Sequence, residues 1–142
     1  MTILDIDVKY TAVATAENGR DGRVATDDGK LDVVVNPPKE MGGSGAGTNP
    51  EQLFAAGYSA CFQGALGVVA RKENVDISGS TVTAKVGIGS NGNGGFGLEV
   101  ALSAHIPNVD EAAALDLLEK AHQVCPYSNA TRGNIKVDLA VV

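Results

Sequence analysis

Residues 53–70 contain no charged side chain, and this segment constrains the fold more than any other. Its 18 residues reach the lower length of a membrane-spanning helix. Ser59, Gln63 and three glycines interrupt its apolar character, however, and the only adjacent basic residues are Arg71 and Lys72. We therefore predict a helix buried in the core of a soluble protein, with no membrane as its partner.

This helix is predicted to run from Thr48 to about Asn74. Thr48 and Glu51 have the spacing of a capping box, and Pro50 suits the first turn of a helix. Small residues recur at spacings of three and four on one face, so that another backbone can approach it closely. They are Gly57, Ala60, Cys61, Gly64, Gly67 and Val68. Cys61 is therefore expected on a tightly packed face and not on an open surface.

Strand-forming segments are predicted on both sides of this helix. Residues 3–16, 23–26 and 31–35 are rich in β-branched side chains and are separated by turn-forming residues, which indicates an N-terminal meander. Residues 80–88 and 96–106 are predicted to form a hairpin, because a run of asparagine and glycine joins them.

A second, amphipathic helix is predicted after the hairpin. Asp110 is expected to cap it, and Pro126 to end it near Cys125. Its buried stripe is predicted to contain Ala113, Leu117, Ala121 and Val124. A short irregular stretch and a strand over residues 135–142 follow. The pattern shows no internal repeat and no linker, and it predicts one domain over residues 1–142.

The charge of the chain argues against some classes of partner. The formal net charge is -6 at pH 7, and no basic face that would bind nucleic acid or an anionic membrane is visible. The N-terminal segment lacks the basic and apolar regions of a signal peptide, so we expect a cytoplasmic protein. In that reducing compartment, cysteines are more often catalytic, redox-active or metal-binding than permanently bridged.

Cys61 and Cys125 are the two cysteines. Taken alone, Cys61 fits a cysteine that only packs among alanines. Cys125 is predicted where a helix stops at a proline, and a cysteine that only packs is not expected at such a position. These positions favour a redox pair modestly, and the separation of 64 residues says nothing about contact. A zinc site is an alternative, because the two cysteines together with His105 and His122 would supply four ligands. The spacing of these residues matches no zinc motif, however.

A thiolate nucleophile needs a nearby cation that lowers its pKa, and arginine suits this role because it is always charged. Arg20 and Arg23 lie in a turn region, where the simpler interpretation is a solvated surface charge. Glu51 precedes Cys61 by about 15 Å along a straight helix, so the two cannot touch within it. If Glu51 serves a site at Cys61, it comes from a second chain, or the helix breaks near Gly57.

Two stretches match a known family closely. Residues 49–62 read NPEQLFAAGYSACF, and residues 124–134 read VCPYSNATRGN. Both resemble the organic hydroperoxide resistance proteins, the Ohr branch of the OsmC/Ohr family. The turn GRDGR at residues 19–23 is similar to the arginine-bearing turn of that family. The order of elements matches as well, so the resemblance covers essentially the whole chain.

The resemblance implies an α+β, OsmC-like fold, with antiparallel sheets wrapped around long central helices in an intertwined homodimer. Its active sites would form at the subunit interface. Cys61 matches the peroxidatic cysteine and Cys125 the resolving one. Arg20 matches the arginine that activates the thiolate, and Glu51 the carboxylate that orients it. No metal or bound cofactor is implied, and electrons would come from dihydrolipoyl groups on lipoylated proteins.

These roles predict a thiol peroxidase that reduces alkyl and lipid hydroperoxides to alcohols through a Cys61 sulfenic acid and a Cys61–Cys125 disulfide. Phe54 and Phe62 are candidates for the wall of an apolar substrate pocket, with plain core packing as the alternative. Two further functions stay open. One is an OsmC-type peroxidase of broader specificity, and the other is a non-catalytic dimer that binds an apolar ligand.

Overall fold

Within residues 2–142, the computed structural model contains six β-strands, three α-helices and one short 3-10 helix. In chain order they are β1 (Ala14–Glu17), β2 (Gly22–Thr26), β3 (Asp32–Val35), the 3-10 helix (Lys39–Met41), α1 (Pro50–Lys72), β4 (Thr81–Ser90), β5 (Phe96–His105), α2 (Glu111–Val124), α3 (Pro126–Thr131) and β6 (Val137–Val141). Two compact units result, one that ends at Pro50 and one that comprises Glu51–Val142. The single domain over residues 1–142 stays a prediction.

The first unit contains an antiparallel sheet in the order β1-β2-β3, which confirms the predicted meander. Asn18 and Gly19 in the β1–β2 turn both have a φ of 57°, a left-handed conformation that these residue types tolerate best. Arg20 follows them in the turn and is exposed. Across β2 and β3, the Arg23 guanidinium donates two hydrogen bonds of 2.7 Å to the Asp32 carboxylate.

The N-terminal strand is shorter than predicted. Of the segment predicted over residues 3–16, only the part from Ala14 onward is paired as a strand. Residues 3–12 have no strand partner among the described residues of the first unit, and an extended segment becomes part of a sheet only when another strand shares hydrogen bonds with it. Leu4 and Ile6 are 79% and 80% exposed, so this segment leaves apolar side chains uncovered.

The long helix α1 is continuous from Pro50 to Lys72 and does not break at Gly57. It begins after Asn49, so the predicted capping box of Thr48 and Glu51 is out of register by one residue. The reason is tertiary, because Thr48 lies in a parallel bridge at the end of β3. The unbroken helix removes one of the two ways in which Glu51 was expected to reach a site at Cys61.

The sheet of the second unit has the order β4-β5-β6. β4 and β5 form the predicted antiparallel hairpin, with Ser90 opposite Phe96 next to the turn. β6 pairs with β5 in parallel, so this sheet is mixed and not purely antiparallel as expected. The helices between these strands supply the crossover that a parallel pair requires.

The amphipathic helix α2 starts as predicted, because the Asp110 side chain accepts a hydrogen bond of 2.8 Å from the Ala113 backbone N–H. Its buried residues are Ala114, Leu117, Leu118 and Ala121. Ala113 and Val124 were predicted on this stripe, but both are exposed. They lie near the two ends of the helix.

Pro126 ends α2 and also starts a new helix, α3, where an irregular stretch was predicted. Proline cannot continue α2, but its fixed φ suits the first position of the next helix. Cys125 is the junction residue, since it is both the C-cap of α2 and the N-cap of α3.

The core of the second unit is built from α1, β5 and α2. Tyr58, Phe62, Leu66, Leu102 and Leu118 are among its fully buried side chains. Each large apolar side chain stabilises the fold by about 1.5–3 kcal/mol on burial. Although α1 is long and apolar enough to cross a membrane, this contact with strand and helix is the packing of a core helix.

The small-residue face of α1 is closely packed within the chain only in part. Gly57 lies against Tyr127 and Cys61 against Cys125, as predicted, but the rest of the face is open. A Cβ added at Gly64 or Gly67 would meet nothing within 4 Å. Ala60 and Gly64 are exposed, whereas the opposite face of the helix lies in the core. This part of the face is therefore open in the single chain.

Candidate active site

The two cysteines are adjacent in the fold. Cys125 Sγ–H donates to Cys61 Sγ across 3.6 Å, and both are free thiols. Cys61 lies in the middle of α1 and is half-buried, while Cys125 at the α2–α3 junction is fully buried. A disulfide has an S–S bond of about 2.05 Å, so a shift of about 1.5 Å would join the two sulfurs.

Two consecutive backbone amides face the two sulfurs. The Ser128 N–H donates to Cys125 Sγ across 3.5 Å, which makes that sulfur the cap of α3. The Tyr127 N–H forms a hydrogen bond with the Cys61 sulfur. An N–H donor favours a thiolate over a thiol, so the Tyr127 N–H partly stabilises negative charge on the Cys61 sulfur.

The pKa of the Cys61 thiol is nevertheless raised. Burial of the sulfur is the main cause, and the thiol of Cys125 adds to it, while the Tyr127 N–H acts in the opposite direction. A reactive thiolate at Cys61 therefore needs a positive charge in addition to these neighbours.

An aromatic cluster lies next to the cysteines. The rings of Phe54, Tyr58 and Tyr127 contact one another with centroids 5.6 to 6.0 Å apart. A Cβ added at Gly57 would stand 2.8 Å from the Tyr127 hydroxyl oxygen, so the glycine leaves room for this ring. Phe54 is half-buried. Phe62 is fully buried, which agrees with the alternative that it only packs in the core.

A buried polar network lies behind Cys125, and sequence reasoning missed it. The Ser128 hydroxyl contacts the Tyr58 hydroxyl at 2.8 Å and His122 Nδ1 at 2.7 Å. Thr131 contacts the Tyr58 hydroxyl at 3.0 Å and donates to the Ser128 carbonyl at 3.2 Å. The only sequence signal was that Tyr58, Ser128 and Thr131 fall inside the two stretches that resemble the family.

The remaining predicted site residues lie elsewhere on these elements. Arg20 belongs to the first unit, and its role in activating Cys61 stays a prediction. Arg23 forms an ion pair with Asp32 across β2 and β3, so it has a structural role between the two strands. Glu51 is half-buried in the first turn of α1.

The zinc alternative finds little support from the histidines. His105 Nδ1 contacts the Val142 carbonyl at 3.0 Å, and His122 Nδ1 contacts Ser128. In residues 2–142, no three side chains of histidine, cysteine, aspartate or glutamate form a group that could hold a metal ion.

A groove of about 510 Å³ lies at the far end of the second sheet. Its wall includes Ile88, Leu98 and Ile135 from β4, β5 and the segment before β6. Neither cysteine lines it, so it is separate from the candidate site.

Comparison with known proteins defines the class of this fold. The family model described as OsmC-like protein matches residues 42–140, which include both cysteines. The chain is thus a two-cysteine α+β protein of the OsmC-like class.

Relatives and solved structures then specify the family. An organic hydroperoxide resistance protein of Xanthomonas axonopodis pv. citri is 52% identical over 136 residues, which cover 94% of this chain and 95% of the relative. The organic hydroperoxide resistance protein of Elizabethkingia anophelis has a structure with a TM-score of 0.91 and 57% identity, over 96% of this chain and 98% of that one. OhrB of Bacillus subtilis has a TM-score of 0.85 and 43% identity, over 94% and 98%. This chain belongs to the OsmC/Ohr family.

Proposed function

We propose that this protein is a thiol peroxidase that reduces organic hydroperoxides to alcohols. The observation that carries the proposal is the distance of 3.6 Å between the free thiols of Cys61 and Cys125. The relatives named organic hydroperoxide resistance proteins support the substrate class. They also favour this function over an OsmC-type peroxidase of broader specificity.

The first chemical step is attack of the Cys61 thiolate on a peroxide oxygen. The O–O bond breaks, the sulfur is oxidised to a sulfenic acid, and the alkoxide takes up a proton and leaves as an alcohol. Cys61 suits this role because its sulfur is only half-buried, whereas Cys125 is fully buried. The peroxide therefore reaches Cys61 first.

The second step forms a disulfide. The Cys125 sulfur attacks the Cys61 sulfenic acid, and the hydroxyl leaves as water with the thiol proton. The Ser128 N–H donates to the Cys125 sulfur and holds it beside Cys61. Because the two sulfurs already lie near each other, only a small movement is needed, and Cys61 is protected from further oxidation.

Arg20 and Glu51 complete the site in this proposal. The raised pKa of Cys61 calls for a cation, and we assign that role to Arg20, held in place by a carboxylate. Since α1 is unbroken, Glu51 cannot approach Cys61 along its own helix. We therefore assign the orienting carboxylate to Glu51 of the partner subunit in a homodimer.

The homodimer explains two surfaces that a single chain leaves open. One is the open part of the small-residue face of α1, and the other is the apolar N-terminal segment over residues 3–13. An extended segment of this kind gains hydrogen bonds and buries its side chains when it pairs with a strand of a second chain. Such exchange produces an intertwined dimer.

The substrate preference is assigned to apolar side chains beside Cys61. Phe54 and Tyr127 form a partly exposed aromatic wall there, and Phe62 is left as core. An alkyl or lipid hydroperoxide gains from contact with this wall, but hydrogen peroxide does not.

Regeneration needs two electrons from outside the protein. A dihydrolipoyl group on a lipoylated protein would attack the Cys61–Cys125 disulfide, leave as its own cyclic disulfide and restore both thiols. A dithiol of this kind is available in a reducing compartment, which agrees with the proposed cytoplasmic location.

Stopped-flow kinetics test the proposal. Pre-reduced protein is mixed with an alkyl or fatty-acid hydroperoxide, with hydrogen peroxide in parallel and dihydrolipoamide as reductant. We expect rapid loss of the organic peroxide, slower loss of hydrogen peroxide and a Cys61–Cys125 disulfide identified by mass spectrometry. A rate no faster than that of a free thiol would instead leave a dimer that binds an apolar ligand as the better assignment.

A further inference from the structure

We infer that the hydroxyl of Ser128, held between His122 and Tyr58, positions Cys125 for disulfide formation and fixes the protonated nitrogen of His122. The effect on the rate of disulfide formation rests on the proposed function, whereas the protonated nitrogen of His122 does not. Ser128, His122 and Tyr58 are thus positioning residues, since their side-chain hydrogen bonds are to one another and to Thr131.

Ser128 is connected to Cys125 through its backbone. Its N–H donates to Cys125 Sγ, while its side chain contacts the Tyr58 hydroxyl on α1 and His122 on α2. Three helices therefore meet at one fully buried serine. The direction of its N–H, and with it the orientation of the Cys125 sulfur, depends on these side-chain contacts.

Only one set of proton positions makes all four contacts of this network hydrogen bonds at once. Thr131 uses its one hydroxyl proton to donate to the Ser128 carbonyl, so it accepts from the Tyr58 hydroxyl. Tyr58 has then spent its only proton and accepts from the Ser128 hydroxyl. Ser128 in turn has no proton left for His122 and accepts from His122 Nδ1–H.

His122 is therefore held with its proton on Nδ1. Arg132 contributes separately to the junction, because its guanidinium donates to the His122 carbonyl at 2.9 Å and also contacts Asn129 in α3. These two contacts of Arg132 connect the end of α2 with α3 on either side of Cys125. The network as a whole keeps the junction in one geometry.

The first experiment identifies the protonated nitrogen and needs no peroxide. Two-bond ¹H–¹⁵N correlation spectra of the reduced protein at neutral pH distinguish an Nδ1–H from an Nε2–H imidazole. We expect the Nδ1–H form for His122. An Nε2–H form would overturn the inferred direction of the network and leave the proposed peroxidase function untouched.

The second experiment separates peroxide reduction from disulfide formation. In Ser128→Ala, we expect Cys61 oxidation at the wild-type rate but disulfide formation slower by about tenfold, the factor expected for one lost buried hydrogen bond. Sulfinic acid at Cys61, measured by mass spectrometry, should rise accordingly. Ser78→Ala, which removes an exposed hydroxyl bonded only to Asp76, should match wild type in both steps.

His122 variants provide a conservative rescue. Asparagine places an amide N–H near the position of Nδ1, so His122→Asn should retain most of the disulfide-forming rate. His122→Ala removes the donor and should behave like Ser128→Ala. Equal rates of disulfide formation in wild type, Ser128→Ala and His122→Ala would overturn the positioning role. Absence of peroxide reduction in wild type would count against the proposed function alone.

Discussion

Cys61 Sγ and Cys125 Sγ lie 3.6 Å apart, although 64 residues separate them in the chain. α1 carries the first sulfur past the α2–α3 junction, which carries the second. A disulfide between them needs a local shift and no unfolding, because Cys125 sits at a helix boundary and not within a helix. This relationship gives the two thiols distinct roles.

Cys125→Ser should leave the first step intact and block the second. The Cys61 thiolate would still reduce the peroxide, but its sulfenic acid would have no resolving thiol. We expect a rapid phase that consumes roughly one peroxide per Cys61, and then slower consumption of a second peroxide as the sulfenic acid is oxidised to sulfinic acid. Intact-mass spectrometry during turnover checks this. Sustained turnover with dihydrolipoamide at the wild-type rate would contradict the resolving role.

Arg20→Ala should change the pH profile of peroxide reduction. Without the proposed cation, burial keeps the pKa of Cys61 raised, and the thiol form dominates below that pKa. The rate at neutral pH should fall by about tenfold or more, and should then rise by about tenfold per pH unit until the pKa is passed. Wild type should be nearly flat from neutral pH upward.

The matched control for Arg20→Ala is Arg23→Ala. Arg23 is bonded to Asp32 across β2 and β3, and the pair is exposed. Because exposed ion pairs contribute little, removing it should change stability only slightly and leave the pH profile unchanged. A profile altered by Arg23→Ala but not by Arg20→Ala would reverse the assignment of the activating arginine.

Glu51→Gln and Cys61→Ser should complement each other if the carboxylate acts across a dimer. Each variant alone should be severely impaired. A heterodimer contains one site with an intact Cys61 and with Glu51 of the partner subunit, so co-expression or subunit exchange should restore activity. No recovery after verified exchange would show that Glu51 acts within its own chain or not at all.

Gly64→Ala distinguishes a dimer from a monomer by the sign of its effect. In a single chain the added Cβ meets nothing within 4 Å, and alanine favours a helix over glycine by roughly 0.5–1 kcal/mol. A monomer should therefore become more stable. If a partner packs closely on this face, the variant should instead be less stable and should dissociate more readily. Denaturant titration and analytical ultracentrifugation measure the two effects.

Gly57→Ala should affect the aromatic wall more than the fold. The new methyl group would stand 2.8 Å from the Tyr127 hydroxyl oxygen, so the Tyr127 ring must move. We expect a higher KM for an alkyl hydroperoxide and little change in the rate with hydrogen peroxide. An unchanged KM would remove Tyr127 from the proposed substrate wall.

Local sequence was sufficient for most elements. Residues 53–70 predict the long helix, Asp110 marks the start of α2, and asparagine with glycine marks the turns, because these signals act over a few residues. The two family-like stretches also singled out Cys61 and Cys125. The bare spacing of the cysteines did not predict their contact.

Tertiary structure decided the rest, since each remaining feature depends on residues far apart in the chain. Thr48 joins the edge of β3 and delays the start of α1, and the crossover helices make β6 parallel to β5. The hydroxyl network around Ser128 brings α1, α2 and α3 together behind Cys125. No periodicity or spacing encodes these contacts, because a hydrogen bond between distant residues leaves no local pattern in either segment.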